Sequence, residues 1–410
     1  MEIRPILSTL GRHKTAAALI VLEIALACAI ICNALFLIGD RVGQISEVSG
    51  VADTELVRVQ ITSIGNDENP DASTRADLAA LRAIPGVKAA TVMNQVPFGG
   101  SSWNSGVKLQ QDQQRSTLNA TTYMAEDDFI ETLGLKIIAG RDFEPGEYVY
   151  YSEVRKPGVT AEIPAAIITR KVAEILFPGE NAVGKSFYSW SDKPTRVVGV
   201  VDHLVRPSAQ GGPAGREYAV IFPLRPSYDV GGDYMLRTDP ARREEVLKAA
   251  AVVLRANDPN RIVLEENTRT MEVQRKDYHQ QAVSMAWLLG AVIVALLVIT
   301  ALGIVGLASF WVEQRTRQIG VRRALGATRG QILRYFQLEN FILATGGIVL
   351  GMLLAFGINQ LLMAKYELPR LPWYYLPIGA LVLWVLGQIS VLFPARRAAA
   401  VPPAVATRSA

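Results

Sequence analysis

Four stretches of this 410-residue chain are apolar for about 20 residues or more, the length that an α-helix needs to cross the hydrocarbon core of a membrane. They predict membrane spans at residues 15–39, 282–312, 339–364 and 373–394. The first run is too long for the apolar core of a cleaved signal peptide, and no small-x-small cleavage site follows it. We therefore expect all four runs to remain in the protein as membrane helices.

The distribution of positive charge orients these spans, because Lys and Arg concentrate near span ends on the cytoplasmic side. The basic segments are 1–14, 313–338 and 395–410, and four spans place all three on one side. The region 40–281 instead holds 28 Lys and Arg against 33 Asp and Glu, a formal charge of −5 compared with +4 for the whole chain. We predict a multi-pass protein of the bacterial inner membrane with both termini cytoplasmic, a large periplasmic domain and a short periplasmic loop at 365–372. The basic surplus then reflects orientation and contact with membrane lipid, and we expect no nucleic-acid partner.

The periplasmic region is predicted to be an α+β domain with a split lobe. Residues 40–96 contain a strand, a helix and a strand, and residues 224–281 repeat this succession before a polar stalk leads into the second span. Two β-α-β units that flank an insertion predict one layer whose halves pair in space. The inserted residues 97–223 are rich in Gly, Pro and short β segments, and they predict a second, β-rich lobe.

Helix signals in this domain are specific enough to be tested. Thr74 followed by Asp77 predicts a capping box at the start of the first helix. From about Thr268 the sequence becomes polar and helical, and neither Pro nor Gly interrupts it before Gly290. We therefore predict one continuous helix that joins the domain to the second span.

One segment resembles a nucleotide-binding loop, but its context predicts another structure. Residues 179–186 match G-x-x-x-x-G-K-[ST], a pattern that requires a strand before the loop and a helix that opens at the Lys. Here a helix at about 170–176 precedes the segment and a β-like run follows it. The three histidines are scattered and both cysteines, Cys28 and Cys32, lie in the first span, so no metal-ligand spacing is present. We predict a chain that is not an enzyme and has no cofactor of its own.

Polar and small residues inside the spans predict helix packing. Glu23, Asn33 and Asn359 are the polar cases, and interhelical hydrogen bonding explains them better than an ion path, because no chain of acidic residues follows one face. Gly347 and Gly351 have the G-x-x-x-G spacing that permits a close approach between helices.

The loop 313–338, here named the elbow, carries the strongest functional signal. Gly326 is predicted to end one helix in it, and Thr328 is predicted to cap a second short one. Its arginines are Arg315, Arg317, Arg322, Arg323, Arg329 and Arg334, and the apolar residues between them are Ile319, Val321, Leu325, Ile332 and Leu333. Two interpretations stay open: an orientation signal that lies on anionic lipid, or a docking surface for a cytoplasmic partner. The apolar and small residues favour the docking surface.

The elbow sequence resembles the signature of the permeases of the MacB/FtsX-like ABC superfamily. The family pattern E-R-T-R-E-I-G-I-R-R-A-L-G-A is matched within Glu313–Ala327 with conservative changes. Segments 133–143, 166–187 and 196–201 and the closing PARRAAAVPPAVATR are similar to the same family. The resemblance covers nearly the whole chain.

This resemblance implies a MacB-like permease without a fused ATPase, which transmits movement from a separate cytoplasmic ABC ATPase to the periplasmic domain during export or efflux. ATP and Mg²⁺ would be bound by that ATPase. The family also implies a second permease copy, identical or a sister permease, and in MacB-like members a periplasmic adaptor and an outer-membrane channel. By matching positions, the implied coupling contact is Arg317, Gln318, Ile319, Gly320, Val321, Arg322, Arg323, Ala324, Leu325 and Gly326.

Two alternatives are weighed against this expectation. Other members of the superfamily release lipoproteins or regulate a cell-wall hydrolase, and the size of the predicted domain suits transport or lipoprotein release better than hydrolase regulation. An ATP-independent membrane receptor belongs to a different class. It predicts a cytoplasmic signalling domain, which these residues do not contain.

Overall fold

The computed structural model describes residues 14–65, 67–156, 162–208, 215–228, 231–366 and 370–400. By internal contacts the chain divides into an α/β unit, Glu47–Gln281, and a helical unit, Met1–Ser46 with Ala282–Ala410. Most of the two predicted cytoplasmic tails, and part of the predicted loop at 365–372, lie outside the described residues.

The helices and strands are defined here in chain order. The helices are α1 (Lys14–Ile45), α2 (Pro70–Arg82), α3 (Phe129–Leu133), α4 (Tyr151–Val154), α5 (Arg170–Leu176), α6 (Arg243–Asn257), α7 (Met271–Gln314), α8 (Thr316–Ala324), α9 (Arg329–Tyr366) and α10 (Tyr375–Ala399). The strands are β1 (Leu56–Ser63), β2 (Val87–Met93), β3 (Asn104–Val107), β4 (Leu118–Met124), β5 (Ile137–Gly140), β6 (Val149–Tyr150), β7 (Ala165–Thr169), β8 (Ser186–Phe187), β9 (Thr195–Val201), β10 (Ala219–Phe222), β11 (Leu224–Arg225), β12 (Gly231–Thr238), β13 (Arg261–Val263) and β14 (Arg269–Thr270).

The four predicted spans are confirmed as helices. By length and composition α1, α7, α9 and α10 are each able to cross a membrane. The ends of each helix differ from the ends of the predicted span, because helical turns with polar residues continue past the apolar run. The helix α10 starts two residues later than its predicted span. The predicted continuous helix is α7, whose 44 residues reach about 66 Å at about 1.5 Å per residue.

The split lobe of the α/β unit is also confirmed. Its sheet has the order β13-β1-β12-β2 with antiparallel pairs, and β14 adds to β1. The strand pair β1–β12 joins the two β-α-β units across the insertion, with Val59 opposite Tyr234. Alternate residues of these strands pack with α2 and α6 into one buried cluster, which contains Leu78, Leu81 and Val246.

The start of α2 corrects one prediction. The helix begins four residues before Thr74, where Asn69 accepts a hydrogen bond from the Ala72 amide (3.3 Å) and Pro70 occupies the first turn. Thr74 and Asp77 therefore lie inside the helix and are buried, so the predicted capping box is wrong. Asp77 instead accepts hydrogen bonds from Tyr234 (2.7 Å) and Asn257, which tie α2 to the sheet and to α6.

The inserted residues form the expected β-rich lobe. Its sheet has the order β3-β4-β10-β7-β9-β5, and β8 pairs with the first residues of β9. The pairs β4–β10 and β7–β9 are parallel. The phosphate-like segment lies between α5 and β8, and its Lys185 pairs with Glu180. The two lobes share one apolar core, because a single buried cluster contains Leu56 and Met271 together with Tyr123 and Ile167.

Candidate functional site

The elbow consists of α8 and the turns on either side of it. A single residue, Arg315, separates the end of α7 from the start of α8. At the other end Gly326 adopts the left-handed region with φ +97° and follows the last residues of α8, which agrees with the prediction that this glycine ends a helix. Thr328 accepts a hydrogen bond from the Gln331 amide (3.3 Å), and Gln331 accepts one from the Thr328 amide (2.9 Å). This cap starts the long helix α9, so the predicted second short helix is wrong.

One face of α8 is fixed to the helical unit by apolar contacts. Ile319 is only 5% exposed and Gly320 is buried. The cluster that receives Ile319 is made of Val312, Ile332, Phe336, Ala395, Ala398 and Ala399. Small side chains from the end of α10 let α8 lie close, so its inner face is set by tertiary packing.

Two adjacent arginines have different environments on α8. Arg323 is partly buried and donates from Nη1 to the carbonyl oxygen of Ala399 (2.8 Å). Arg322 is exposed and lies over the ring of Tyr335, with 5.0 Å to the ring centroid. Arg323 thus holds the helix in place, while Arg322 presents charge at the surface.

The opposite face of α8 exposes apolar side chains between cations. Val321 is 46% exposed and Leu325 is 83% exposed, and they lie four residues apart on one side of the helix. Of the ten implied contact residues, the exposed ones are Arg317, Gln318, Val321, Arg322, Ala324, Leu325 and Gly326. An exposed apolar patch with arginines around it is typical of a surface that another protein covers.

The structure separates Arg315 from the other arginines of the elbow. Its guanidinium donates to both carboxylate oxygens of Glu339 on α9 (3.0 and 2.8 Å), and it lies over the ring of Trp311 at 5.6 Å. Arg315 is 7% exposed and Glu339 only 1%. From the sequence, Arg315 was grouped with the surface arginines of the elbow. Glu339, an acidic residue at the border of an apolar run, was the one sequence feature that could have indicated a buried partner for an arginine.

The predicted packing glycines lie against α1. A Cβ at Gly347 would lie 2.8 Å from the Cβ of Ile24, and a Cβ at Gly351 would lie 2.5 Å from the Cβ of Cys28. Only glycine allows the two helices to approach this closely.

The polar side chains of the spans make different contacts. Asn33 of α1 donates to the carbonyl oxygen of Ala355 on α9 (3.1 Å), which is an interhelical hydrogen bond. Asn359 accepts from the amide of Leu371, in the segment between α9 and α10 (2.9 Å). Glu23 lies against Gly303 of α7. Within the described residues no group of three or more His, Cys, Asp or Glu side chains is placed to hold a metal ion.

Comparison with known proteins assigns the chain to a family. The model of the MacB-like periplasmic core domain matches residues 17–262, and the model of the FtsX-like permease C-terminal region matches residues 290–403. The chain belongs to the MacB/FtsX-like permease family. It is thus an ABC transporter permease of the inner membrane, with transmembrane helices and a periplasmic core domain. The resemblance seen at the elbow is confirmed.

Relatives of this permease cover most of its length. It is 24% identical over 420 residues to the uncharacterized ABC transporter permease YknZ of Bacillus subtilis, covering 99% of this chain and 98% of that protein. It is 24% identical over 419 residues to the macrolide export ATP-binding/permease protein MacB of Pasteurella multocida, covering 96% of this chain but 58% of the relative. It is 26% identical over 413 residues to the pyoverdine export ATP-binding/permease protein PvdT of Pseudomonas syringae, covering 92% and 57%.

Solved structures of isolated domains resemble part of the permease. The extracellular domain of YknZ from Gram-positive bacteria matches 51% of this chain and 100% of that domain, with 17% identity and a TM-score of 0.32. The periplasmic region of MacB from Actinobacillus actinomycetemcomitans matches 57% of this chain and 97% of that region, with 14% identity and a TM-score of 0.34. The family assignment rests on the sequence matches.

Proposed function

We propose that this permease couples ATP hydrolysis by a separate cytoplasmic ABC ATPase to movement of its α/β unit, and that the movement drives export from the periplasm. The family assignment supports an ABC transporter, and the relatives in Pasteurella and Pseudomonas are named as exporters of macrolides and pyoverdine. The match to YknZ, a permease that the chain covers almost completely, supports a separate ATPase. ATP and Mg²⁺ would be bound by that subunit.

The exposed face of α8 carries the proposal for the ATPase contact. Leu325 is 83% exposed next to Val321, and a solvent-exposed leucine at the end of a short amphipathic helix gains free energy when a partner covers it. Arg317 and Arg322 flank it and would pair with acidic groups of the partner.

The continuity of α7 supports transmission of force. Its 44 residues include Met271, which is fully buried in the α/β core, and its last turn is followed directly by the elbow. Since both lobes of the α/β unit share that core, movement of α7 would carry them together. In this proposal the ATPase moves α8, α8 moves α7, and α7 moves the periplasmic domain.

The exposure of α7 supports a dimer. Only 11% of its most apolar window is buried within the chain, compared with 61% for α1. Large side chains such as Trp287 (78% exposed) and Leu302 (66% exposed) face outward along it. We propose that a second permease copy, identical or a sister permease, covers part of this surface, and that a periplasmic adaptor and an outer-membrane channel complete the export path.

The ATPase contact is tested by co-purification from the native host. Leu325→Glu places a charge in the proposed interface, so the amount of ATPase recovered with the permease should fall about tenfold or more, as for the loss of a central interface residue. Arg334→Glu is the matched control, since Arg334 is an exposed cation of the same elbow on the first turns of α9. Arg323 is unsuitable, because its bond to Ala399 holds α8 itself.

Equal recovery with Leu325→Glu and with the unmodified chain would exclude the exposed face of α8 as the coupling contact. Loss of the ATPase with Arg334→Glu alone would move that contact to the start of α9.

A further inference from the structure

The junction between α7 and α8 depends on the backbone of one residue. The Arg315 amide donates to the carbonyl oxygen of Trp311 (3.1 Å), which completes the last turn of α7. The Arg315 carbonyl oxygen accepts from the Ile319 amide (2.9 Å), which begins α8. Its dihedral angles, φ −102° and ψ 7°, depart from those of an α-helix, so the chain changes direction at this residue. Arg315 is therefore the residue at which the chain bends between the two helices, and it is called the hinge residue below.

The side chain of this hinge residue is fixed to a third helix. Its guanidinium binds Glu339 on α9 through both carboxylate oxygens, and the ring of Trp311 lies beneath it. Both members of the ion pair are more than nine-tenths buried. A two-point ionic contact fixes the direction of the side chain as well as its distance, which a single apolar contact does not. The backbone of Arg315 therefore joins α7 to α8, and its side chain binds α9.

A buried ion pair is a weak source of stability, because the cost of removing two charges from water offsets most of their attraction. Apolar side chains of similar volume would hold the helices together about as well. In some proteins a buried polar contact fixes one orientation among several, which is a role separate from stability.

We propose that Arg315 and Glu339 are a positioning pair that fixes the direction of α8 relative to α7 and α9, so that a push on the exposed face of α8 reaches α7 instead of being lost as rotation at the hinge. This inference rests on the proposed function, since it assigns the residues that make the elbow stiff. The pair touches neither ATP nor the proposed ATPase surface, and it acts through α8.

The test measures the orientation of α8 by thiol labelling of the full chain in lipid nanodiscs without ATPase. Cysteine is introduced singly at Leu325, which is 83% exposed, and at Ile319, which is 5% exposed, and each is reacted with a charged maleimide. The native Cys28 and Cys32 are buried in the first span, where a charged maleimide does not reach them, so they add no background to the labelling. In the unmodified background, position 325 should label rapidly and position 319 slowly.

Glu339→Gln removes the charge that holds Arg315, and it should raise the labelling rate at position 319 about tenfold or more. The matched control is Glu313→Gln, since Glu313 is an exposed acid two residues before the hinge, and it should change neither rate. The double variant Arg315→Met with Glu339→Leu replaces the pair by apolar side chains, and in it position 319 should label as fast as in Glu339→Gln.

Two results would overturn the inference. If the double variant labels like the unmodified chain, apolar packing alone fixes α8 and the pair has no positioning role. If Glu313→Gln raises the labelling rate at position 319 as much as Glu339→Gln does, the rate does not depend on the ion pair in particular. Neither result depends on ATPase binding, so failure here is distinguishable from failure of the proposed coupling contact.

Discussion

Different interactions stabilise the α/β unit and the helical unit, each considered by itself. The α/β unit buries large side chains completely, with Tyr123 and Phe129 each at most 1% exposed in its central cluster. The helical unit instead brings helices together at glycines, as at Gly347 and Gly351, and leaves large apolar residues such as Leu353 (69% exposed) on its outer surface. Large apolar side chains fill the core of the α/β unit, whereas in the helical unit many of them also lie on the outer surface.

The difference follows from the solvent that each unit displaces. Burial of an apolar side chain away from water is the main driving force for folding of the α/β unit. In a membrane, lipid tails are as apolar as leucine, so clustering leucines gains little, and helices associate through close backbone approach and polar contacts. Loss of side-chain volume should therefore harm the α/β unit, and gain of volume should harm the helical unit.

The largest expected effect is a loss of volume in the α/β core. Phe129→Ala should destabilise the fragment Glu47–Gln281 by about 3–5 kcal/mol, because it removes a buried ring that packs on Tyr123. The measurement is the free energy of unfolding in urea. Val252, which is 65% exposed on α6, provides the control, and Val252→Ala should change that free energy by less than about 0.5 kcal/mol. Comparable effects of the two variants would mean that Phe129 does not lie in a close-packed core.

A gain of volume in the helical unit should have the next largest effect. Gly351→Leu forces α9 away from Cys28 on α1, and overpacking of this kind costs about 1–3 kcal/mol. Gly357→Leu is the control on the same helix, since a Cβ there would meet no atom within 4 Å. The thermal unfolding temperature of the full chain in nanodiscs should fall for the first variant only. A similar fall for both would show that the position of a glycine along α9 does not matter.

The smallest effect concerns charge burial in the α/β unit, where Glu126 is 5% exposed. Burial raises the pKa of the Glu126 carboxyl above its usual range, and this outweighs the lowering effects of a backbone hydrogen bond and of Arg225 at 3.0 Å. A raised pKa contributes stability that is complete below the unfolded-state pKa and is lost as the pH rises through the folded-state pKa. In Glu126→Gln no carboxyl ionises at this position, so this loss of stability with rising pH is absent. Arg225 keeps its contacts with Asp127 (3.1 Å) in that variant.

The measurement for Glu126 is the unfolding free energy of the fragment Glu47–Gln281 between about pH 4 and about pH 7. The variant should gain stability relative to the unmodified fragment as the pH rises. If the variant instead loses stability relative to the unmodified fragment as the pH rises, the attraction of Arg225 outweighs burial and the pKa of Glu126 is lowered.

Sequence patterns predicted the architecture well where local signals agree with the fold. The four spans and both β-α-β units follow from apolar run length, strand composition and turn residues, all of which act over a few positions. The start of α2 was misplaced because Asn69 and Pro70 are a better start signal than Thr74 and Asp77. The pairing of β4 with β10 joins Thr122 to Val220, nearly a hundred residues later, and no local pattern contains that information.

At the elbow the sequence did not distinguish the residues that the structure buries from those that it exposes. Ile319 and Val321 are similar apolar residues two positions apart, and only the presence of α10 beside α8 buries the first and exposes the second. The partner of Arg315 lies 24 residues further along the chain, on a different helix. Both distinctions come from tertiary neighbours, which residue spacing alone does not define.

The most direct measurement of the coupling account is site-specific photo-crosslinking at α8 in cells of the native host. A photoreactive amino acid is placed at position 325 on the exposed face, at position 319 on the buried face and at position 334 on α9, and crosslinked products are identified by mass spectrometry. The account predicts that position 325 captures an ABC ATPase while positions 319 and 334 do not. Capture of lipid alone at position 325, or capture of the ATPase only from position 334, would contradict it.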